Sequence, residues 1–242
     1  MIEAIGLSKS FDGEQILENI SFSVRAGVTL GLVGPGGVGK SLLLKMLCGL
    51  VVPDEGEVRV DGEDLAGLDF EATARMRDRF GFLFQNYALF DFLTVGENVG
   101  FPLDQRRDVP AEEIQQRVEA RLAEVELPGI LHLFPNELSG GMKKRVALAR
   151  ATIAEPPILL YDDPTAGLDP VTSSKIFNLI AKLDTAERRT VVVGHDVDRM
   201  KAVCEQWILL YEGTIRFRGD TAAAEASTDP VVRTFFHGES GG

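Results

Sequence analysis

Two adjacent aspartates follow an apolar run, and their position allows each carboxylate a different chemical role. The run ILLY at 158–161 is followed at once by Asp162 and Asp163. A carboxylate at a strand end can hold Mg²⁺ beside a bound phosphate, while a neighbouring carboxylate handles water. A strand-end aspartate can also be only a turn former or a helix cap. We predict a metal-binding Asp162 and a water-orienting Asp163, provided that a phosphate site lies close by.

A glycine-rich stretch earlier in the chain supplies such a site. GPGGVGKS at 34–41 fits G-x-x-x-x-G-K-S and lies between an apolar run and a helical one, which is the context this motif requires. Glycines let backbone N–H groups wrap a phosphate, and the helix N-terminus adds partial positive charge. Lys40 would reach the β- and γ-phosphates and Ser41 would bind Mg²⁺. The alternative, a glycine turn that only precedes a helix, leaves the Lys-Ser pair unexplained.

A second helix start, LSGGMKKR at 138–145, combines a serine with two glycines. Ser139 can be an N-cap in a turn loosened by Gly140 and Gly141. The same geometry favours an anion, because exposed N–H groups and the helix dipole attract a phosphate. The spacing does not say whose phosphate this would be. The cations at 143–145 are interpreted as a solvated helix face.

The elements that must position these residues alternate between strand and helix. Apolar runs without alternation lie at 29–33, 80–84, 158–161 and 190–193, which is typical of strands covered on both faces. Helical patterns lie between them, at 40–50, 111–125, 140–154 and 170–183. This order predicts an α/β fold with a mostly parallel sheet. Because ligands bind beyond the carboxyl ends of such strands, Gly34, Gln85, Asp162 and His195 should converge on one site.

Three segments differ from this pattern within what we predict to be one domain spanning 1–242. Residues 1–28 and 55–65 are predicted to form short strands of an antiparallel β-subdomain, with turns at Asp12-Gly13 and Asp61-Gly62. Residues 86–150 are predicted to form an inserted α-helical subdomain that includes the LSGG segment, because the stretch between Gln85 and Leu138 carries several prolines around one clear helix. The tail at 237–242 is predicted to be disordered.

The composition of the chain excludes several classes of function. The chain has 242 residues, 45% hydrophobic, and a net charge of −12, so it can bury a core but has no large surface suited to nucleic acid. Cys48 and Cys204 are far apart in apolar settings, as buried thiols in a reducing compartment would be. We expect no signal peptide at the N-terminus, and the longest apolar stretch, 42–52, is too short to span a bilayer. A membrane role is therefore expected only through a permease partner.

Together these motifs resemble the ATP-binding-cassette (ABC) ATPases. The resemblance rests on the order of GPGGVGKS, Gln85, LSGGMKKR, ILLYDDP, the loop AGLDP at 166–170 and His195, and it covers almost the whole chain. It implies a P-loop NTPase core of the RecA-like type and an ATPase that requires ATP and Mg²⁺. It also implies a homodimer that sandwiches ATP, in which Ser139 of one copy faces the γ-phosphate held by the other.

The resemblance assigns roles position by position. Gln85 would contact Mg²⁺ and the attacking water, Asp169 would communicate across the dimer, and His195 would touch the γ-phosphate. Phe11 falls where the family places an aromatic under the adenine, although it can also be an ordinary edge-strand aromatic. The implied ATP-binding residues are Phe11, Gly34, Pro35, Gly36, Gly37, Val38, Gly39, Lys40, Ser41 and Leu42. The implied signature residues are Ser139, Gly140, Gly141 and Met142; the metal ligands are Ser41, Gln85 and Asp162; the catalytic residues are Gln85, Asp163 and His195.

One position departs from the family pattern. The family usually has glutamate where this chain has Asp163, and aspartate sets the carboxylate back by about 1.5 Å, one C–C bond. A misplacement of about 1 Å can cost on the order of a hundredfold in rate. Two hypotheses stay open: a slow but real ATPase, or an ATP-gated clamp that hardly hydrolyses.

Within the family the chain looks like the separate ATPase subunit of a bacterial transporter. It most resembles the lipid-transport ATPases that work with mammalian-cell-entry (MCE) proteins, through LSGGM, the stretch at 83–103, VVVGHDV at 191–197 and DPVVRTFFHG at 229–238. This implies permease, MCE-domain and periplasmic lipid-binding partners, and a place on the cytoplasmic face of the inner membrane. The docking groove would be lined by Tyr87, Phe90, Phe92 and Leu93. The alternative is an ATPase of an amino-acid or ion importer.

Overall fold

A computed structural model describes residues 1–106 and 108–237, which form two sheets with helices packed around them. The strands are Ile2–Phe11 (β1), Glu14–Val24 (β2), Val28–Val33 (β3), Glu55–Val60 (β4), Glu63–Asp64 (β5), Phe80–Leu83 (β6), Ile158–Asp162 (β7), Arg189–Val193 (β8), Gln206–Tyr211 (β9) and Thr214–Asp220 (β10). The α-helices are Lys40–Leu47 (α1), Phe70–Arg77 (α2), Val95–Arg106 (α3), Ala111–Glu124 (α4), Gly140–Thr152 (α5), Pro170–Leu183 (α6), Val197–Met200 (α7), Thr221–Glu225 (α8) and Pro230–His237 (α9).

The larger sheet is the predicted parallel one. Its order is β10-β9-β3-β8-β7-β6, and every pair is parallel except β9 with β10. The four strands predicted from apolar runs are confirmed to within one residue at each end. Since β3, β8, β7 and β6 are neighbours with one direction, their carboxyl ends lie along one edge of the sheet. The α/β fold class is confirmed.

The smaller sheet is antiparallel, with the order β2-β1-β4-β5. Both predicted turns are present: Asp12 and Gly13 have φ of 50° and 83°, and Asp61 and Gly62 have 52° and 87°, as the tight turns of hairpins require. The strands of the N-terminal hairpin were predicted to be short, and this is wrong. β1 has 10 residues and β2 has 11, because bulges in their register let the hairpin continue.

Two hydrophobic clusters cover the two faces of the parallel sheet, and β7 shows how the chain divides between them. Ile158 and Leu160 point into the cluster shared with the small sheet and α1. Leu159 and Tyr161 point into the other, shared with α3, α5, α6 and α9. All four side chains are fully buried, which explains why the run is continuously apolar. With both faces packed, the strand end that carries Asp162 is held firmly.

The helical region contains a helix that the sequence analysis missed. One clear helix was predicted within 86–138, but both α3 and α4 are present. The overlooked signal is a capping box at the start of α3: Thr94 Oγ1 accepts from the Glu97 N–H, and Glu97 Oε2 accepts from the Thr94 N–H. Pro102 inside α3 argued against a helix there. The subdomain limits at 1–28, 55–65 and 86–150 stay a prediction.

Two further expectations meet the structure at other helix ends. The first predicted helix, 40–50, stops at Leu47 because Gly49 adopts φ 68°. His237 was placed in the disordered tail, yet it is the last residue of α9, with Nε2 within 3.0 Å of the Glu225 carbonyl oxygen. The rest of that tail lies outside the described residues. Within the described part of the chain, no helix has the length and apolarity needed to cross a bilayer.

Candidate ATP site

The phosphate loop joins the end of β3 to the start of α1. Lys40 is the first residue of that helix, and its ammonium donates to the carbonyl oxygens of Gly34 and Pro35 at 2.8 and 2.7 Å. Gly39 has φ 99°, and a Cβ there would lie 2.8 Å from Leu17 Cδ2, so only glycine fits. Burial lowers the pKa of the Lys40 ammonium, while the carboxylates of Asp163 and Asp162 oppose that shift. The loop thus presents its cation beside both aspartates.

Ser41 and Asp162 form the pair predicted to bind Mg²⁺. Ser41 Oγ donates to Asp162 Oδ1 at 2.7 Å, and Asp162 is the last residue of β7 and is buried. Burial raises the pKa of the Asp162 carboxyl, and the hydrogen bond from Ser41 partly offsets it. A hydroxyl beside a carboxylate suits Mg²⁺, which keeps waters and phosphate oxygens as further ligands. In the described chain no group of three or more His, Cys, Asp or Glu could hold a metal.

Asp163 adopts a left-handed backbone conformation, φ 44°, which aspartate tolerates better than most residues. Its N–H donates to the Val193 carbonyl oxygen at 3.0 Å, and its Oδ2 lies 3.2 Å from Nδ1 of His195. Its Oδ1 is buried without a hydrogen-bond partner among the described residues. Oδ1 is therefore closed off from solvent, and Oδ2, beside the histidine, is the oxygen available to a water in the site.

Gln85 lies two residues beyond the end of β6 with its side chain exposed. Its backbone oxygen accepts from the ammonium of Lys144 at 2.7 Å, and the same ammonium donates to the Asp163 carbonyl oxygen at 3.1 Å. The predicted solvated face is therefore wrong, since Lys144 is fully buried. Helical spacing was the available signal, because Lys144 shares a face of α5 with the buried Ala147, Leu148 and Ala151.

The LSGG segment begins α5, as predicted, and lines a cavity to which no residue of the phosphate loop contributes. Ser139 is the N-cap, and its Oγ accepts from the Met142 N–H at 3.3 Å. Gly141 packs so closely that a Cβ would lie 2.8 Å from Thr172 Cγ2. Asp169 caps α6 by accepting from the Val171 and Thr172 N–H groups, both at 3.0 Å. A cavity of about 540 Å³ brings Ser139, Gly140, Gly141 and Asp169 together.

The other predicted nucleotide-binding residues fall into two settings. Phe11 ends β1 with 49% of its surface exposed, and Lys9 Nζ lies 5.4 Å from its ring centre, so its ring is open to stacking. Gly36 and Gly37 are exposed at the tip of the loop. Val38 and Leu42 are partly buried against the cluster under the small sheet, and Met142 packs on the other cluster.

Comparison with known proteins agrees with this arrangement. Residues 17–166, more than half of the chain, match the sequence profile described as ABC transporter. This chain belongs to the ABC transporter family. It is the nucleotide-binding ATPase component of that family, which binds ATP, and the resemblance inferred from its motifs is confirmed.

Relatives whose names state a function fall into more than one transport class. The chain is 41% identical to the chloroplastic protein trigalactosyldiacylglycerol 3 of Arabidopsis thaliana, over all of this chain and 75% of that protein. It is 38% identical to MlaF, the ATP-binding protein of the intermembrane phospholipid transport system of Escherichia coli, over 94% and 85%. It is 37% identical to the probable ribonucleotide transport ATP-binding protein mkl of Mycobacterium tuberculosis, over 98% and 66%.

A solved structure has the same fold. The ATP-binding cassette MJ0796, solved as a dimer in a post-hydrolysis state bound to ADP and Pi, superposes with a TM-score of 0.84 and 33% identity. The match covers 91% of this chain and 98% of that one.

Proposed function

We propose that this chain powers a bacterial lipid transporter, and that it hydrolyses ATP as a head-to-tail homodimer. The cavity at Ser139 carries the dimer proposal: the LSGG helix start is built to hold a phosphate, yet no residue of this copy's phosphate loop lines that cavity. A second copy turned by two-fold symmetry would place its Ser139 opposite this copy's Lys40. The dimeric cassette with 33% identity supports the formation of a dimer.

In the ATP site that the dimer completes, each residue has its own role. Lys40 and the loop N–H groups bind the β- and γ-phosphates. Ser41, Asp162 and Gln85 hold Mg²⁺, which neutralises charge on the phosphate oxygens when it is bound. Asp163 accepts a hydrogen bond from the attacking water through its Oδ2, the oxygen that also contacts His195. His195, placed by its contact with Asp163, is available to donate toward the γ-phosphate, and Phe11 stacks on the adenine.

Lipid is the cargo class that the relatives favour. One of them is named for phospholipid transport and another for a glycolipid, which fits the resemblance to ATPases that act with MCE proteins. Ribonucleotide transport, in the name of a relative at 37% identity, keeps import of a small polar solute as the second candidate. Cargo contacts belong to the permease and to periplasmic lipid-binding proteins, so this chain would sit at the cytoplasmic face of the inner membrane.

A cavity in the helical region offers a docking place for the permease. It has a volume of about 850 Å³ and is bounded by the loop before α3 and by α3 and α4, including Phe90, Phe92, Leu93 and Phe101. Phe92 exposes 77% of its surface. Tyr87 was expected in this groove but does not line it; its ring faces the Lys144 ammonium at 4.9 Å. An amphipathic helix of a membrane partner is the ligand that such a groove fits.

The cargo proposal is tested by purifying the tagged chain from membranes of its own host and identifying the polytopic proteins that accompany it. Recovery of a permease with an MCE-domain protein is expected. Recovery of a permease with a periplasmic solute receptor would instead establish import of a small solute. The Lys40→Ala variant is purified in parallel, which separates recovery that depends on nucleotide binding from recovery that does not.

A further inference from the structure

Lys144 is a buried cation that the proposed chemistry does not use. Its side chain is fully buried, and burial lowers its pKa to about 8, an effect opposed by the carboxylates of Asp163 and Asp162. Lysine is rarely buried without paired groups. Its partners here are two backbone oxygens, those of Gln85 and Asp163, and the ring of Tyr87. These partners belong to two different segments of the ATP site.

Side chains of α5 hold the backbone of residues 85–88, just after β6. Tyr87 and Ala88 have φ of 62° and 50°, a conformation that non-glycine residues keep only when their surroundings enforce it. Arg150 donates to the carbonyl oxygens of both, at 2.8 and 2.6 Å. Lys144 holds the same segment one step closer to the site, at Gln85. Of these two cations, only Lys144 also reaches Asp163.

Lys144 lies on the same helix as Ser139, little more than one turn away. A helix is rigid over so short a distance, so a shift of the helix start moves the ammonium with it. We propose that Lys144 is a positioning residue, which fixes the backbone of Gln85 and Asp163 and ties both to the helix that reads the partner's ATP. A displacement of Ser139 on closure of the dimer is thereby transmitted to the water-orienting carboxylate of the same copy.

The inference rests on the proposed ATP site and predicts how the loss of Lys144 differs from the loss of a binding residue. Lys144→Met keeps the length and the apolar stem but leaves two buried carbonyl oxygens without their donor. We expect kcat to fall by about tenfold or more, since a misplacement of about 1 Å can cost a hundredfold. ATP affinity should stay unchanged, because Lys144 touches no part of the phosphate loop. Lys144→Arg should restore most of the turnover, because a guanidinium can donate to both oxygens.

The experiment measures steady-state ATP hydrolysis and equilibrium binding of a fluorescent ATP analogue for wild type, Lys144→Met, Lys144→Arg and Lys40→Ala. Lys182→Met is the matched control, since Lys182 is an exposed lysine on α6 with no part in the site. Circular dichroism and thermal unfolding establish that each variant is folded. If Lys144→Met does not fold, Lys144→Gln replaces it with the same expected outcomes.

A loss of kcat at unchanged affinity, with rescue by arginine, supports the positioning role. Wild-type turnover in Lys144→Met overturns it. Parallel loss of binding and turnover without rescue by arginine also overturns it, because that pattern belongs to a lysine that only maintains the fold. Wild-type turnover no higher than that of Lys40→Ala is a different failure: it removes the proposed ATPase itself, and the inference falls with it.

Discussion

At the scale of single residues, hydrolysis depends on how far the Asp163 carboxylate reaches. Its backbone is fixed by the hydrogen bond to Val193 and its Oδ2 contacts His195, so the side chain has little room to extend. The carboxylate is half enclosed: Oδ1 is buried and unpartnered within the described chain. This geometry favours a slow ATPase, in which water is oriented from a greater distance than a glutamate would allow.

Replacing Asp163 by glutamate is therefore expected to raise kcat. The extra methylene brings the carboxylate about 1.5 Å closer to the water. A shift of about 1 Å can change the rate about a hundredfold, but glutamate tolerates the left-handed backbone less well than aspartate. We therefore expect kcat to rise on the order of tenfold. Single-turnover and steady-state hydrolysis at saturating ATP measure the change. Slower turnover in Asp163→Glu would show that the site is built around aspartate.

Asp163→Asn is the matched control for this prediction, because it keeps the shape and removes the proton acceptor. General-base action typically contributes about 10²–10⁴-fold, so turnover should fall close to that of Lys40→Ala while ATP still binds. An Asp163→Asn variant with undiminished turnover would remove Asp163 from the chemistry altogether.

At the scale of elements, α5 connects the proposed contact with the partner's nucleotide to the loop of this copy's own ATP site. Ser139 and the glycines at its start face the space proposed for the partner's nucleotide, and Lys144 and Arg150 hold the loop that carries Gln85. Gly141 sets how closely α5 approaches α6, since any side chain at this position would meet Thr172. Small changes at this helix start should therefore affect dimer closure before they affect nucleotide binding by one copy.

Gly141→Ala tests this. The added Cβ would lie 2.8 Å from Thr172 Cγ2, which is too close for two carbon atoms, so the contact between α5 and α6 must shift. ATP-driven dimer formation, measured by light scattering, and turnover should both fall about tenfold, while binding of ATP to the monomer is kept. Gly67→Ala is the control, because a Cβ there meets nothing within 4 Å. Equal dimerisation in the two variants would contradict the role of α5.

The elements that could be predicted from the sequence are those with one uniform environment. Strands such as β7 are buried on both faces, so a plain apolar run identifies them, and GPGGVGKS and LSGG mark the helix starts that follow them. The helix α3 was not predicted because Pro102 argues against a helix while Thr94 and Glu97 argue for one. The burial of Lys144 was not predicted because charged side chains are normally exposed to solvent, and only contacts made by distant parts of the chain reveal its partners.

At the scale of the whole molecule, the two clusters on either side of the parallel sheet make the domain a firm support for its site. They also bury both thiols. Burial raises the pKa of Cys48 to about 11 and that of Cys204 further above its ordinary value. A thiol in that state forms little of the reactive thiolate near neutral pH.

Thiol accessibility thus reports on the packing of both clusters. In native protein at pH 8 neither cysteine should react rapidly with an aromatic disulfide reagent, whereas both should react in guanidinium chloride. Cys48→Ala and Cys204→Ala identify which thiol reacts. Rapid reaction of one thiol in the native state would mean that its cluster opens far more often than this packing implies.

The permease groove can be tested at the same scale. Phe92→Asp places a charge in the apolar cavity beside α3 and should lower recovery of the polytopic partner from membranes about tenfold, because an exposed aromatic anchor often contributes more than 1 kcal/mol to an interface. Phe70→Asp is the control, since Phe70 is 90% exposed but does not line the groove. If both variants recover the partner equally, docking occurs elsewhere.

The central claim, a dimeric ATPase whose site needs two copies, is tested most directly by steady-state ATP hydrolysis at several protein concentrations, with Lys40→Ala measured in parallel. We expect turnover that requires Lys40 and rises faster than linearly with protein concentration, because each active site takes Ser139 from a second copy. Turnover that matches Lys40→Ala at every concentration, with ATP bound, would contradict the account and favour a clamp that binds ATP without hydrolysing it.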